Sequence, residues 1–237
     1  ENFDKDPCPG ALKYLTAEVN GCEPIIRETQ KERRCKLSGH ALDAKDILYL
    51  SRIQFPKPKL KAKCVAVYID TTWRPRLQKF VVENVAQHTG WPIQIFHGLR
   101  NENKMKRLFS NNSFHFTPLM TDDMSWYRLS SLMLLSTFWR ACIGDYILIF
   151  QPDSIMCSNS EVHINDFLKY DYVGAPMAGQ WWSTTDEKSG WTVGCGGFSL
   201  RRRTQMIRMT RSAQCTTPSA GKLEDQQLSL GWSYIQK

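Results

Sequence analysis

Two five-residue apolar runs stand out in the chain: Val65–Ile69, which ends at Asp70, and Tyr146–Phe150, which follows Asp145. Each has the length and branching of a strand buried on both faces of a parallel sheet. Between them Leu77, Phe80, Val81, Val85 and His88 fall at offsets 0, 3, 4, 8 and 11, one face of a helix. Pro75 suits the first turn of that helix, and Thr89-Gly90 stops it. Trp91–Phe96 and Phe114–Thr117 read as further strands. Ser125 caps a predicted helix that holds Trp126, Leu129, Met133 and Trp139, runs to about Cys142 and ends at Gly144. A short helix over 162–169 follows Phe150, then strands over Tyr172–Gly174 and Gly196–Leu200. Helices over Thr204–Ser212 and Glu224–Tyr234 complete the pattern. The alternation predicts an α/β fold, a mostly parallel sheet with helices on both faces.

Residues 1–60 break the pattern. They carry Pro7, Pro9, Pro24, Pro56 and Pro58 and three cysteines, with one candidate helix at Ala41–Leu48. We read them as an N-terminal extension, joined through an extended Pro56-Lys57-Pro58 linker to a catalytic domain over 61–237. With 237 residues, 42% hydrophobic and 23% charged, the chain is globular in composition. No stretch approaches the ~18 apolar residues of a membrane span. The sequence opens at Glu1, so an upstream signal or anchor would be the route to a membrane.

Lysine and arginine exceed aspartate and glutamate by 31 − 23 = 8. The excess suits phosphate-bearing ligands or serves solubility alone. It comes in small groups (Lys57, Lys59, Lys61 and Lys63; Arg201–Arg203 with Arg208 and Arg211), which argues against nucleic acid as a partner. None of the eight cysteines forms a Cys-x-x-Cys pair, so no structural zinc site is expected. Their even number and the sequon Asn111-Asn112-Ser113 point to the secretory lumen and a disulfide-bonded glycoprotein, with the Golgi as the expected compartment and the cytoplasm as the alternative, and several buried free thiols are the competing reading of the cysteines. Cys8, Cys22 and Cys35 are the main disulfide candidates.

In an open parallel sheet, ligands bind beyond the carboxyl ends of the strands. The two buried runs deliver Asp70 and Gln151-Pro152-Asp153-Ser154 to that edge. Gln151 and Asp153, two apart, face one site if the segment is extended, and hard cations take such oxygen ligands. An Asx-turn at Asp153 is the competing reading. Val193–Leu200 carries Gly194, Gly196 and Gly197, which permit close approach of a ligand to the backbone or form a β-bulge. Glu224-Asp225 either favours a helix start or supplies a general base. Trp181, Trp182 and Trp191 bracket a polar stretch and suit stacking on a sugar or base, or core packing.

These segments together resemble an uncharacterised domain family of the glycosyltransferase type. The blocks are ILIFQPDSIMC, INDFLKYDYVGAPM, GCGGFSLRRR and LEDQQLS, preceded by VAVYIDTTWRP, GWPIQIFHG and STFWR. The resemblance runs from Cys64 to Ser229. It implies the A-type glycosyltransferase fold of nucleotide-diphospho-sugar transferases. It also implies transfer of a sugar from a nucleotide donor, UDP-linked by preference, to a hydroxyl on a glycan or protein, with inversion. The family's metal-binding Asp-x-Asp corresponds to Gln151-Pro152-Asp153, so Asp153 and Gln151 become candidate ligands for Mn²⁺ or Mg²⁺. Glutamine in place of the first acid puts metal dependence in question. The late Glu-Asp pair corresponds to Glu224-Asp225, with Asp225 as base. Asp70, Arg74, Arg76, Gly196, Gly197 and Arg201 complete the donor-site candidates. The family's Asn-Gly-Gly reads Cys195-Gly196-Gly197 here. An inactive relative that binds glycans or nucleotides is the first rival, and a nucleic-acid-binding protein the second.

Overall fold

The two apolar runs become neighbouring strands of one six-stranded sheet. A computed structural model describes residues 53–178 and 191–211. Strand β1 (Ala62–Asp70) pairs in parallel with β4 (Gly144–Phe150), Ala66 lying opposite Leu148 and Tyr68 opposite Phe150. On the other side of β1, β2 (Ile93–His97) and β3 (Phe114–Pro118) add in parallel. Beyond β4, β6 (Trp191–Arg202) runs antiparallel to both β4 and β5 (Tyr172–Ala178). The order is β3-β2-β1-β4-β6-β5, so five strands share one direction and β6 opposes them.

Alternation along β1 divides the core into two layers. Val65, Val67 and Ile69 join one cluster, and Cys64, Ala66 and Tyr68 the other. The Tyr68 layer is covered by α1 (Pro75–Thr89) through Val81, Val82 and Val85, and by α2 (Glu102–Leu108) through Met105. The Val67 layer is covered by α3 (Trp126–Met133), α4 (Ser136–Ala141) and α5 (Arg203–Met209). Each fully buried aliphatic side chain stabilises this arrangement by about 1.5–3 kcal/mol relative to exposure. Ile53 is buried and Phe55 meets Phe96 edge-on at 5.8 Å, so packing on this domain begins before the Pro56–Pro58 segment.

Local signals explain several boundaries. Pro75 opens α1 and Gly90 closes it at φ 66°, its N–H reaching the Ala86 carbonyl. Ser125 caps α3, accepting from the Arg128 N–H. Other boundaries correct the sequence reading. The helix expected from Ser125 to Cys142 is two helices, because Leu135 adopts extended angles and the Leu134 and Leu135 amides make i→i−3 bonds. No glycine or proline marks that break. Gly144 does not end a helix. It begins β4, where a Cβ would lie 2.5 Å from Val65 Cγ1. The α1 face is rotated from the expected one: Phe80 is 53% exposed, while Gln78 and Val82 are buried. The helix expected over 162–169 is a single 3₁₀ turn (Ile164–Phe167), closed by a capping box between His163 and Asp166. The α2 helix has no counterpart in the sequence reading; its polar surface buries only Met105. The helices expected at Ala41–Leu48 and Glu224–Tyr234 lie outside the described residues.

One buried amide ties the sheet to α4. Gln94 is 1% exposed, and its Nε2 donates to Thr117 Oγ1 and the Ala141 carbonyl, both at 2.9 Å. Its Oε1 accepts from the Ile143 N–H at 3.0 Å. Replacing Gln94 with leucine keeps similar bulk but takes the partner from one donor, the Ile143 N–H, and two acceptors, Thr117 Oγ1 and the Ala141 carbonyl, at about 1–3 kcal/mol for each left unsatisfied. We expect Gln94→Leu to lower Tm by about 5–15 °C. Thermal and urea unfolding check this, and an unchanged Tm would show that the Ala141–Ile143 backbone finds other partners.

Candidate functional site

The order of the parallel strands turns at β1, with β2 and β3 on one side and β4 on the other. The crevice outside the carboxyl ends of β1 and β4 is therefore the topological switch point, where open α/β sheets bind ligands. The chain brings Asp70 there from β1 and Gln151–Asp153 from β4.

Asp70 is 5% exposed and its carboxylate is fully engaged. Oδ2 accepts from Tyr68 Oη at 2.9 Å and Gln78 Nε2 at 2.9 Å. Oδ1 accepts from the Thr72 N–H at 2.8 Å and Thr72 Oγ1 at 2.7 Å. The Arg74 guanidinium stands 3.8 Å from Oδ2. A buried carboxylate needs such a set of donors, and here the set fixes the β1–α1 loop. Burial pushes the Tyr68 phenol far above its ordinary value, with the charge and hydrogen bond of Asp70 adding to the effect and Arg74 opposing it. Asp153 adds the smallest effect, in the same upward direction.

Arg74 and Arg76 are both exposed around the start of α1, and Arg74 Nε also donates to Thr72 Oγ1. Trp73, between Thr72 and Arg74, is 39% exposed with Lys104 Nζ 5.5 Å from its ring centroid. Asn101 secures the loop from beneath, its Nδ2 donating to the Asp70 and Thr72 carbonyls at 3.0 and 2.8 Å. The loops after β2 and β3 close on the same edge. A Cβ on Gly98 would meet Asp122 Oδ1 at 2.6 Å, so any larger residue there would have to displace that carboxylate.

At the end of β4 the chain does not stay extended. The Ser154 N–H returns to the Gln151 carbonyl at 3.0 Å, making a turn with Pro152 and Asp153 at its centre. The expectation of an extended Gln151–Asp153 segment is thereby corrected: proline at the second turn position presets the bend. Asp153 is exposed, whereas Gln151 turns back onto β6. A Cβ on Gly197 would lie 2.8 Å from Gln151 Oε1, so the glycine makes room for the amide. Ser154 Oγ reaches the Gly197 carbonyl at 3.5 Å. The β5–β6 ladder passes from Gly174↔Ser199 to Ala175↔Cys195, so Gly196–Phe198 bulge out of the pairing. Arg201 is 0% exposed, with its guanidinium 5.4 Å from the Trp139 ring and 5.2 Å from the Tyr172 ring.

Asp70, Arg74, Gln151, Asp153 and Gly197 are thus gathered at the switch point, and Arg76 stands exposed in the first turn of α1. Gly196 and Arg201 lie behind the surface. Trp191 opens β6 opposite Ala178. Trp181, Trp182, Glu224 and Asp225 lie outside the described residues, as do Cys8, Cys22 and Cys35. Among the described residues Cys64, Cys142 and Cys157 are free thiols, and burial pushes Cys64 and Cys142 up. Also among the described residues, no group of three or more His, Cys, Asp or Glu is placed to hold a metal. No helix there is long and apolar enough to cross a membrane. Tyr68, Gln78, Asn101 and Ser199 were not among the sequence candidates. Tyr68 had a signal, since it shares a strand face with Asp70. Gln78, a polar residue beside the apolar stripe of α1, carried a weaker one.

A doubly covered, mostly parallel α/β sheet with polar groups collected at its switch point defines the class of protein. The chain belongs to the family described as "Protein of unknown function (DUF5672)", whose model matches residues 113–236. That span holds Gln151–Asp153, Gly196–Gly197 and Glu224-Asp225, while Asp70 precedes it. No curated protein matches the sequence significantly. Among solved structures, the chain is similar to 4-diphosphocytidyl-2C-methyl-D-erythritol synthase from Anaerococcus prevotii. The identity is 8% and the TM-score 0.46, over 74% of this chain and 83% of that one.

The geometry yields two expectations. Tyr68→Phe removes one hydrogen bond to a charged group, a loss of about 1.5–3 kcal/mol at neutral pH. The Tyr68 phenol is held above its ordinary value of 10.0. Above that pH the unfolded chain loses the proton and the folded chain keeps it, so native stability falls with rising pH. Unfolding free energies on either side of this pH should show the alkaline loss in the parent and a smaller one in Tyr68→Phe; equal slopes would remove Tyr68 as its source. Gly197→Ala should displace the Gln151 amide at a cost of about 0.5–1.5 kcal/mol, since the obstacle is a flexible side-chain end. The Gln151 side-chain amide resonances read this directly, and unmoved signals would contradict the contact.

Proposed function

We propose that the chain is a glycosyltransferase of the A-type fold, moving a sugar from a nucleotide donor, UDP-linked by preference, to a hydroxyl acceptor with inversion. The observation that carries the reading is the meeting of Asp70, Arg74 and Gln151–Asp153 at the β1–β4 switch point. Arg74 and Arg76 offer guanidinium groups of the kind that grip phosphate oxygens. Asp70, saturated by Tyr68, Thr72 and Gln78, shapes the loop that meets the nucleotide.

Asp153 and Gln151 offer a carboxylate and an amide oxygen, donors that a hard cation accepts. Asp153 would hold Mn²⁺ or Mg²⁺ as a small part of a ligand set that the donor diphosphate completes, and Gln151 would join it only by leaving its seat against Gly197. Such a cation supplies neutralisation of charge on the leaving diphosphate. In the proposed displacement, an acceptor oxygen forms a bond to the anomeric carbon as the bond from that carbon to the phosphate oxygen breaks. Asp225, oriented with Glu224, takes the acceptor's proton, and the nucleoside diphosphate leaves with the electron pair. Trp181, Trp182 and Trp191 are proposed to stack on the sugar or acceptor. A secretory-lumen location, with the Golgi favoured, belongs to the same proposal.

A second reading, an inactive relative that binds nucleotides or glycans, is favoured by one observation: glutamine at position 151 leaves Asp153 as the sole carboxylate of the motif.

A thermal-shift screen of nucleotide sugars, with and without Mn²⁺, tests the donor site, because a ligand bound only by the native state raises Tm. A UDP-sugar is expected to raise Tm more than UMP does. No shift with any nucleotide sugar at millimolar levels would defeat the proposal, and binding without turnover would move it to the inactive reading. The two acids should separate. Asp153→Asn should weaken both donor binding and the response to metal, along with turnover. Asp225→Asn should leave donor binding near normal and slow turnover by about 10²-fold or more. A folded and fully active Asp225→Asn protein would take Asp225 out of the mechanism.

A further inference from the structure

The glycine bulge of β6 is held from within the protein. Ser199 Oγ donates to the Gly196 carbonyl at 3.0 Å. Arg201 Nε donates to Ser199 Oγ at 2.9 Å, and Arg201 NH2 to the same Gly196 carbonyl at 3.3 Å. Ser199 and Arg201 are two apart and share one strand face, directed at the layer of α4. There the guanidinium lies 5.4 Å from the Trp139 ring and 5.2 Å from the Tyr172 ring. Trp139 is itself fixed, its Nε1 donating at 2.7 Å to the Met133 carbonyl. That carbonyl belongs to the end of α3, at the unmarked break before α4. A continuous line of contacts therefore runs from the α3–α4 break through Trp139, Arg201 and Ser199 to Gly196, one residue from the glycine that seats Gln151.

We propose that Arg201 is a positioning residue for the switch-point site: its buried guanidinium fixes the Gly196 carbonyl and the Ser199 hydroxyl, and so sets where Gly197 and the Gln151 amide lie. A fully buried arginine is costly unless its planar donors and flat faces are all used. At this position Nε and Nη2 are both spent on the bulge, and the guanidinium lies 5.4 and 5.2 Å from two ring centroids. Lysine carries the charge but cannot donate in a fork, so Arg201→Lys separates geometry from charge. A residue wanted only for core packing would hold the layer together without dictating the bulge. The inference concerns the shape of the Gln151–Gly197 corner, and only its binding arm rests on the glycosyltransferase reading.

The test compares Arg201→Lys and Ser199→Ala with Gln94→Leu, which weakens the fold away from the bulge. Tm, the Gly197 backbone amide and Gln151 side-chain amide resonances, and the Kd of UDP-glucose and other UDP-sugars are measured on each. Arg201→Lys and Ser199→Ala are expected to move the Gly197 and Gln151 resonances. Arg201→Lys should also raise the Kd of whichever donor binds the parent by about tenfold or more. Gln94→Leu should lower Tm and leave those resonances in place. Unmoved Gly197 and Gln151 signals in a folded Arg201→Lys protein would overturn the proposal, as would equal displacement by Gln94→Leu. Should Arg201→Lys fail to fold, Ser199→Ala decides through the same resonances. If the parent binds no UDP-sugar, the donor reading is what fails, and the resonances still judge Arg201.

Discussion

The buried carboxylate of Asp70 is the constraint on which the site depends. An ionised group that is 5% exposed must gather donors, and it takes them from its own strand, from the following loop and from α1. Satisfying it dictates the path of residues 71–74, hence where Arg74 and Trp73 emerge. It also sets how α1 begins, since Gln78, one turn into the helix, serves both Asp70 and the Arg74 N–H. Asn101 then ties α2 to the same loop. The β1 side of the switch point is tied together by the donors gathered on the Asp70 carboxylate.

The β4 side is organised differently. Its polar groups meet backbone carbonyls and a glycine surface, and the turn at Pro152-Asp153 leaves the aspartate in solvent. One half of the crevice is therefore a fixed wall and the other a short turn whose free carboxylate faces outward.

The sheet was legible in the sequence because its two central strands are covered on both faces, and such strands show as unbroken apolar runs. The switch point followed from where those runs end, at Asp70 and Gln151. The break between α3 and α4 was hidden because Leu134 and Leu135 are as apolar as their neighbours. Only the tertiary need for Trp139 and Phe138 in the core, both fully buried, explains it. Helix α2 was missed for the opposite reason: one buried methionine gives no periodicity. Gln78 shows a further limit. A polar residue on a buried helix face reads as a flaw until the carboxylate it serves is known. Arg201 looked like a ligand contact beside a glycine cluster, and no pattern along a strand reveals that two aromatic rings from other elements approach it.

The outermost strands each include a proline, Pro118 closing β3 and Pro176 within β5 beside its register shift. Proline has no N–H to give a neighbouring strand. Among the described residues, neither rim of the sheet therefore offers an uninterrupted row of donors to another chain. With an interrupted rim at each end, growth of the sheet by stacking copies side by side is discouraged. Pro118 and Pro176 thus each take one backbone donor away from the rims of the sheet.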